Sequence, residues 1–87
     1  MLEYYAKPIK RKKIPPLTAK QIIEVLKSDG WYDIKANHGS HAMFEHKYKS
    51  GKISVPKHGK ETLTPGTQKS IIEDSGIPEE VWLTWRY

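Results

Sequence analysis

Apolar residues recur along this chain with two different periods, and the switch between them divides it into elements. Between Thr18 and Gly30, the residues Ile22, Ile23, Val25 and Leu26 form one stripe, with Lys20, Glu24 and Lys27 outside it. That spacing predicts an amphipathic helix. Thr18 is a favourable N-cap, and Gln21 stands at capping-box distance from it. Leu17 and Ile22 occupy staple positions across the cap, and Gly30 is the expected left-handed residue that ends the helix.

From Trp31 the period falls to two. A strand over 31–36 places Tyr32, Ile34 and Ala36 on one face and Trp31, Asp33 and Lys35 on the other. After a turn, Ala42, Phe44, His46 and Tyr48 alternate with His41, Met43, Glu45 and Lys47. If Ala42 and Phe44 face a core, His41 points to the opposite, open side. Ser50-Gly51 makes a second turn, and a third strand over 52–55 turns Ile53 and Val55 inward before Pro56 ends it.

Residues 57–63 read as a polar link. A second helix starts at Thr64 with Pro65 in its first position, buries Ile71 and Ile72, and stops at Gly76. Residues 78–87 hold Val81, Trp82, Leu83, Trp85 and Tyr87. That is too much apolar surface for a solvated tail; it reads as a short helical segment that pads the core or as a patch for a partner. The order helix, three antiparallel strands, helix predicts an α+β fold with two helices on one sheet face. The domain spans 17–77, preceded by an arm over 1–16 and followed by the aromatic extension over 78–87.

Composition narrows the class. Eighty-seven residues, 37% hydrophobic and 29% charged, suit one globular domain with a single modest core. No apolar run is long enough to span a bilayer, and no signal-peptide pattern is present, so a cytoplasmic protein without membrane partners is expected. The absence of cysteine excludes a disulfide scaffold and a cysteine-ligated zinc site.

The net charge of +5 is unevenly spread. Residues 34–60 carry six lysines against Glu45 alone, whereas residues 61–87 carry Lys69 and Arg86 against five acids. Residues 1–16 add five Lys/Arg against Glu3, including Lys10-Arg11-Lys12-Lys13 ahead of Pro15-Pro16. A basic central segment suits a polyanion such as nucleic acid, although a solvated lysine surface has the same composition. The arm reads as a flexible segment that contacts RNA phosphates or keeps the chain soluble.

The candidate chemistry lies in Asn37-His38-Gly39-Ser40-His41-Ala42-Met43-Phe44, between two predicted strands. Histidine can take and give a proton near neutrality, and a neighbouring glycine lets backbone N–H groups approach a phosphate. A polar hairpin with a solvated histidine would look the same. Gly39-Ser40-His41-Ala42-Met43 also has the form of a vector-derived junction, but the segments on both sides are needed for one core.

Helix, Gly30-Trp31, strand, Gly39-Ser40-His41, strand, Ile53-Ser54-Val55-Pro56, Gly66-Thr67, Ser70-Ile71-Ile72 and Gly76-Ile77 follow one another at gaps that resemble the HicA family of toxins over residues 17–77. The resemblance implies a double-stranded-RNA-binding-like α-β-β-β-α fold and a messenger-RNA endonuclease inhibited by a HicB antitoxin. It also implies that His41, the histidine after Gly-Ser, is catalytic. The basic arm, the aromatic C-terminus and His38 depart from the compact family pattern.

In chemical terms, RNA carries its own nucleophile, the 2′-hydroxyl beside the scissile phosphate. A neutral His41 imidazole can remove that proton, while Lys35, Lys52 and the backbone N–H groups of Gly39 and Ser40 stabilise phosphoryl charge. His38 is either the acid for the leaving 5′-oxygen or a solvated turn residue. No cofactor is expected. A non-catalytic RNA-binding module would use the same basic surface without needing His41. A metal-dependent hydrolase would have to draw on His38, His41, His46 or His58, for which no convincing carboxylate set is at hand. A purely structural or partner-binding role leaves the basic hairpin and its histidine unexplained.

Overall fold

The computed structural model describes residues 13–35, 39–57 and 59–87. They form α1 (Ala19–Ser28), β1 (Tyr32–Asp33), β2 (His41–Glu45), β3 (Ile53–Pro56), α2 (Pro65–Ser75) and α3 (Glu79–Thr84). The strands make one antiparallel sheet in the order β1-β2-β3. This is the α-β-β-β-α arrangement of the double-stranded-RNA-binding-like folds, with a short helix added at the C-terminal end. Among the described residues, no helix is long and apolar enough to cross a membrane.

Helix α1 begins as its sequence dictates. The Thr18 hydroxyl accepts the Gln21 N–H, and the Gln21 side chain accepts the Thr18 N–H in return, closing the capping box. Its buried face, Ile22, Val25 and Leu26, lies over Ala42, Phe44, Ile53 and Val55 of the sheet. Both α1 and α2 pack on this side, where α2 contributes Ile71. Among the described residues the opposite sheet face is left open. Full burial of one such side chain is worth about 1.5–3 kcal/mol.

The first strand is shorter than its alternation predicts. Pairing joins Tyr32 to Glu45 and Asp33 to Phe44, and one further bond runs from the Ile34 N–H to Met43. The Asp33 carboxylate then accepts the Lys35 N–H at 2.7 Å, and Lys35 takes a φ of +58°. This local side-chain turn competes with the ladder and ends it. Ala36 lies outside the described residues. The second strand likewise stops at Glu45, so Tyr48 is exposed, although His46 still turns inward.

The predicted polar link contains one core residue. Leu63 is buried, and its N–H donates to the Leu17 carbonyl at 2.9 Å, beside the Thr18–Thr62 bridge. This pairing satisfies both backbones as the chain passes α1. Helix α2 starts behind Thr64 and Pro65, as expected, and ends at Gly76 in the left-handed conformation. On α2, Gln68 is buried rather than solvated: its Oε1 accepts the Leu17 N–H, and its Nε2 donates to the Pro15 carbonyl. Ile14 packs against the core, so residues 13–16 are fastened to the domain. The rest of the arm, 1–12, lies outside the described residues.

At the C-terminal end, Trp82 of α3 is fully buried, and Val81 and Trp85 pack on the core from its margin. Among the described residues the Trp82 Nε1–H meets no acceptor. Burying about 200 Å² of indole at about 25 cal/mol/Å² yields about 5 kcal/mol, which exceeds the about 1–3 kcal/mol cost of one unmade hydrogen bond. Tyr87 folds back, and its hydroxyl donates to the Trp82 carbonyl at 2.9 Å.

Candidate active site on the open sheet face

The alternation of β2 builds the site. Ala42 and Phe44 are 5% and 1% exposed on the core side, so His41, Met43 and Glu45 must emerge on the other. His41 is exposed at the first position of the strand, directly after the Gly39-Ser40 turn. Gly39 has a φ of +64°, which a residue with a Cβ adopts only at a cost, and this conformation brings the chain sharply into β2.

Register decides what surrounds the histidine. His41 pairs with Pro56, and Met43 with Ser54, so Ser54 stands diagonally across from His41 on the same face. The His41 Nδ1 lies 2.9 Å from the Ser54 hydroxyl. The Ser40 carbonyl accepts the Lys57 N–H at 2.7 Å, continuing the ladder and holding Lys57 against the turn. Pro56 offers no N–H and sits on the outer edge of the sheet, where none is needed.

The candidate residues divide by place. Gly39, Ser40 and His41 form one exposed corner, and Lys35, just past the end of β1, lies at the same end of the sheet. Lys52 is not part of that corner. It stands beside Glu45, with Nζ 3.6 Å from the carboxylate, at the far end of β2. Glu45 stands four positions along the strand from His41, about 13 Å at about 3.3 Å per residue. His38 lies outside the described residues, as does His58.

Two residues at the corner were not among the sequence candidates. Lys57 is brought to the turn by the β2–β3 pairing, and Ser54 by its diagonal relation to His41. The outward orientation of Ser54 follows from the inward Ile53 and Val55, but its contact depends on strand register, which no local pattern states. His46 has a different character. Its side chain is only 8% exposed and touches the end of α1. Among the described residues, no three His, Asp or Glu side chains come close enough together to hold a metal ion.

An exposed imidazole with one ring nitrogen held, and among the described residues no partner on the other, is suited to proton transfer at a phosphodiester. The fold and this corner coincide with a family relationship. The family described as "HicA toxin of bacterial toxin-antitoxin" matches residues 19–77, well over half of the chain. Comparison with individually curated proteins finds no match. The matched segment runs from the first residue of α1 to the residue after the Gly76 cap, so it contains both helices of the sandwich, the whole sheet and the Gly39-Ser40-His41 corner. The chain belongs to the HicA family, the toxin half of bacterial toxin–antitoxin systems, and a cognate antitoxin is its implied partner.

Proposed function

We propose that this protein is a metal-independent messenger-RNA endonuclease in which His41 is the proton-transfer residue, inhibited by a HicB-type antitoxin. The observation that carries this reading is the exposure of His41 on the open sheet face while its strand neighbours Ala42 and Phe44 are locked into the core. A side chain so placed contributes little to folding, and its position serves a ligand.

The reaction needs little from the protein beyond placement and charge. The neutral imidazole accepts the proton of the RNA 2′-hydroxyl as that oxygen attacks the adjacent phosphorus. The phosphorus–5′-oxygen bond breaks, leaving a 2′,3′-cyclic phosphate on one fragment. The departing 5′-oxygen takes a proton from an acid, for which His38 or solvent is the source. Lys35 and Lys57, together with the backbone N–H groups of the Gly39-Ser40 turn, offset the charge that builds on the phosphoryl oxygens. Lys52 serves a neighbouring phosphate along the strand. Proton transfer of this kind contributes about 10²–10⁴-fold to rate.

The test compares wild type with His41→Ala on a defined single-stranded RNA, measuring thermal melting, binding and single-turnover cleavage together. The expected outcome is unchanged binding and a melting free energy within about 0.5 kcal/mol, as for other exposed positions, with cleavage lost. Binding without cleavage in the wild type would instead identify a non-catalytic RNA-binding module. Cleavage by His41→Ala at the wild-type rate would remove His41 from the reaction.

A further inference from the structure

The hydrogen bond between His41 and Ser54 joins two strands across the open face, and its sense determines which nitrogen of the ring reaches the ligand. Either the serine hydroxyl donates to Nδ1, in which case a neutral ring carries its proton on Nε2, or Nδ1–H donates to the serine oxygen. In the first arrangement the outward nitrogen is already protonated and cannot accept the 2′-hydroxyl proton. In the second, the Nε2 lone pair faces outward. Once Nε2 has taken a proton, Nδ1 is necessarily a donor, so only the second arrangement keeps its hydrogen bond throughout the transfer. The first would have to turn the hydroxyl over in mid-reaction.

We infer that Ser54 is a positioning residue for His41: its Oγ accepts the Nδ1–H, selects the tautomer with Nε2 free, and holds the ring in place. This rests on the reading of His41 as the proton acceptor. The geometry suits it. Ser54 lies on β3, whose Ile53 and Val55 are anchored in the core on either side, so its hydroxyl is fixed by the sheet rather than by a loop. A neutral oxygen also leaves the ring free to lose its proton again. A carboxylate in the same place would stabilise the charged ring and oppose that return.

The test uses the full chain and two substitutions, Ser54→Ala and Ser54→Thr, alongside His41→Ala. Ser54 is exposed and alanine leaves the core untouched, so both variants are expected to melt like the wild type. Nitrogen NMR of the imidazole, with the His41 signals identified by their loss in His41→Ala, is expected to show Nδ1 protonated in the wild type and in Ser54→Thr. In Ser54→Ala the proton moves predominantly to Nε2.

Single-turnover cleavage of a defined single-stranded RNA is expected to fall about five- to tenfold in Ser54→Ala, the effect of one lost hydrogen bond, with binding unchanged. Ser54→Thr restores the rate, because threonine presents the same hydroxyl and suits a strand. A wild-type ring protonated on Nε2, or a Ser54→Ala rate within twofold of wild type, would overturn the inference while leaving His41 in its role. Retained cleavage by His41→Ala would overturn both, since a positioning residue needs a base to position.

Discussion

The imidazole of His46 meets the indole of Trp31 edge-on, with ring centroids 5.2 Å apart. Both of its nitrogens are occupied: Nε2 lies 2.7 Å from the Asp29 carbonyl and Nδ1 accepts the Tyr48 N–H at 3.0 Å. An accepting Nδ1 leaves Nε2 as the donor, where it satisfies the Asp29 carbonyl at the end of α1 with the Asp29 carboxylate 3.4 Å away. It is the structural counterpart of His41, with the opposite exposure.

His46→Ala is accordingly expected to destabilise the fold by about 2–3 kcal/mol, through a lost aromatic contact and two unmade hydrogen bonds. In a domain of this size that lowers Tm by roughly 10–20 °C. Gly30→Ala is expected to act at the same place. A Cβ there would sit 3.0 Å from the His46 Nε2, on a backbone with a φ of +105°. Thermal melting of the two variants checks this, and RNA cleavage below their melting ranges is expected to persist.

Truncation separates the charge of the N-terminal arm from its attachment. Removing residues 1–12 takes away Lys7, Lys10, Arg11 and Lys12 against Glu3, a net +3. The expected result is an unchanged melt, weaker RNA binding and a shallower dependence of affinity on salt, because fewer counterions are released. Removing residues 1–16 also strips Ile14 from the core margin and the Pro15 carbonyl from Gln68. That deletion is expected to lower Tm measurably, as is Gln68→Ala, which leaves the buried Leu17 N–H without its acceptor.

In the proposed reaction the nucleophile belongs to the substrate and a histidine moves the proton, so cleavage is expected to survive chelator. The products should carry a 2′,3′-cyclic phosphate or the monophosphate formed by its hydrolysis. Gel analysis of RNA fragments with and without chelator is the measurement. Activity that vanishes in chelator and returns with Zn²⁺ or Mn²⁺ would rule out the proposed reaction.

Burial raises the Tyr87 phenol above its ordinary range. The folded state thus holds this proton more tightly than the unfolded chain. Its contribution to stability is complete below the ordinary phenol range and is lost as pH rises through the raised value. Wild type is expected to lose more stability than Tyr87→Phe between neutral and strongly alkaline pH. Melting curves of the two proteins across that interval should converge if the phenol titrates as described.

Legibility in the sequence followed the range over which each feature is determined. The capping box of α1, the Pro65 start and the Gly76 stop of α2, and the inward Ala42, Phe44, Ile53 and Val55 depend on neighbours a few residues away, and all could be read directly. The end of β1 could not. Asp33 and Lys35 looked like alternating strand residues, but the Asp33 carboxylate captured the Lys35 N–H and turned the chain. The burial of Gln68 has no local signal, because it depends on Leu17 and Pro15, more than fifty positions earlier. At the site, the histidine was visible and its surroundings were not. Lys52 and Lys57 are equally basic in the sequence, and only the pairing of β2 with β3 sends one to the far end of the strand and the other to the turn.

Strand β2 assigns alternate residues to the core and to the open face, and this has an evolutionary consequence. Substitutions at His41, Met43 or Glu45 can remodel the open face without disturbing Ala42 and Phe44, so the surface is free to diversify while the fold stays constant. Insertion or deletion is another matter. One residue added or lost within the strand would exchange the two sets, drive the imidazole into the core and bring Phe44 to the surface. Relatives of this protein should therefore vary by replacement within β2 and accommodate changes in length only in the turns on either side.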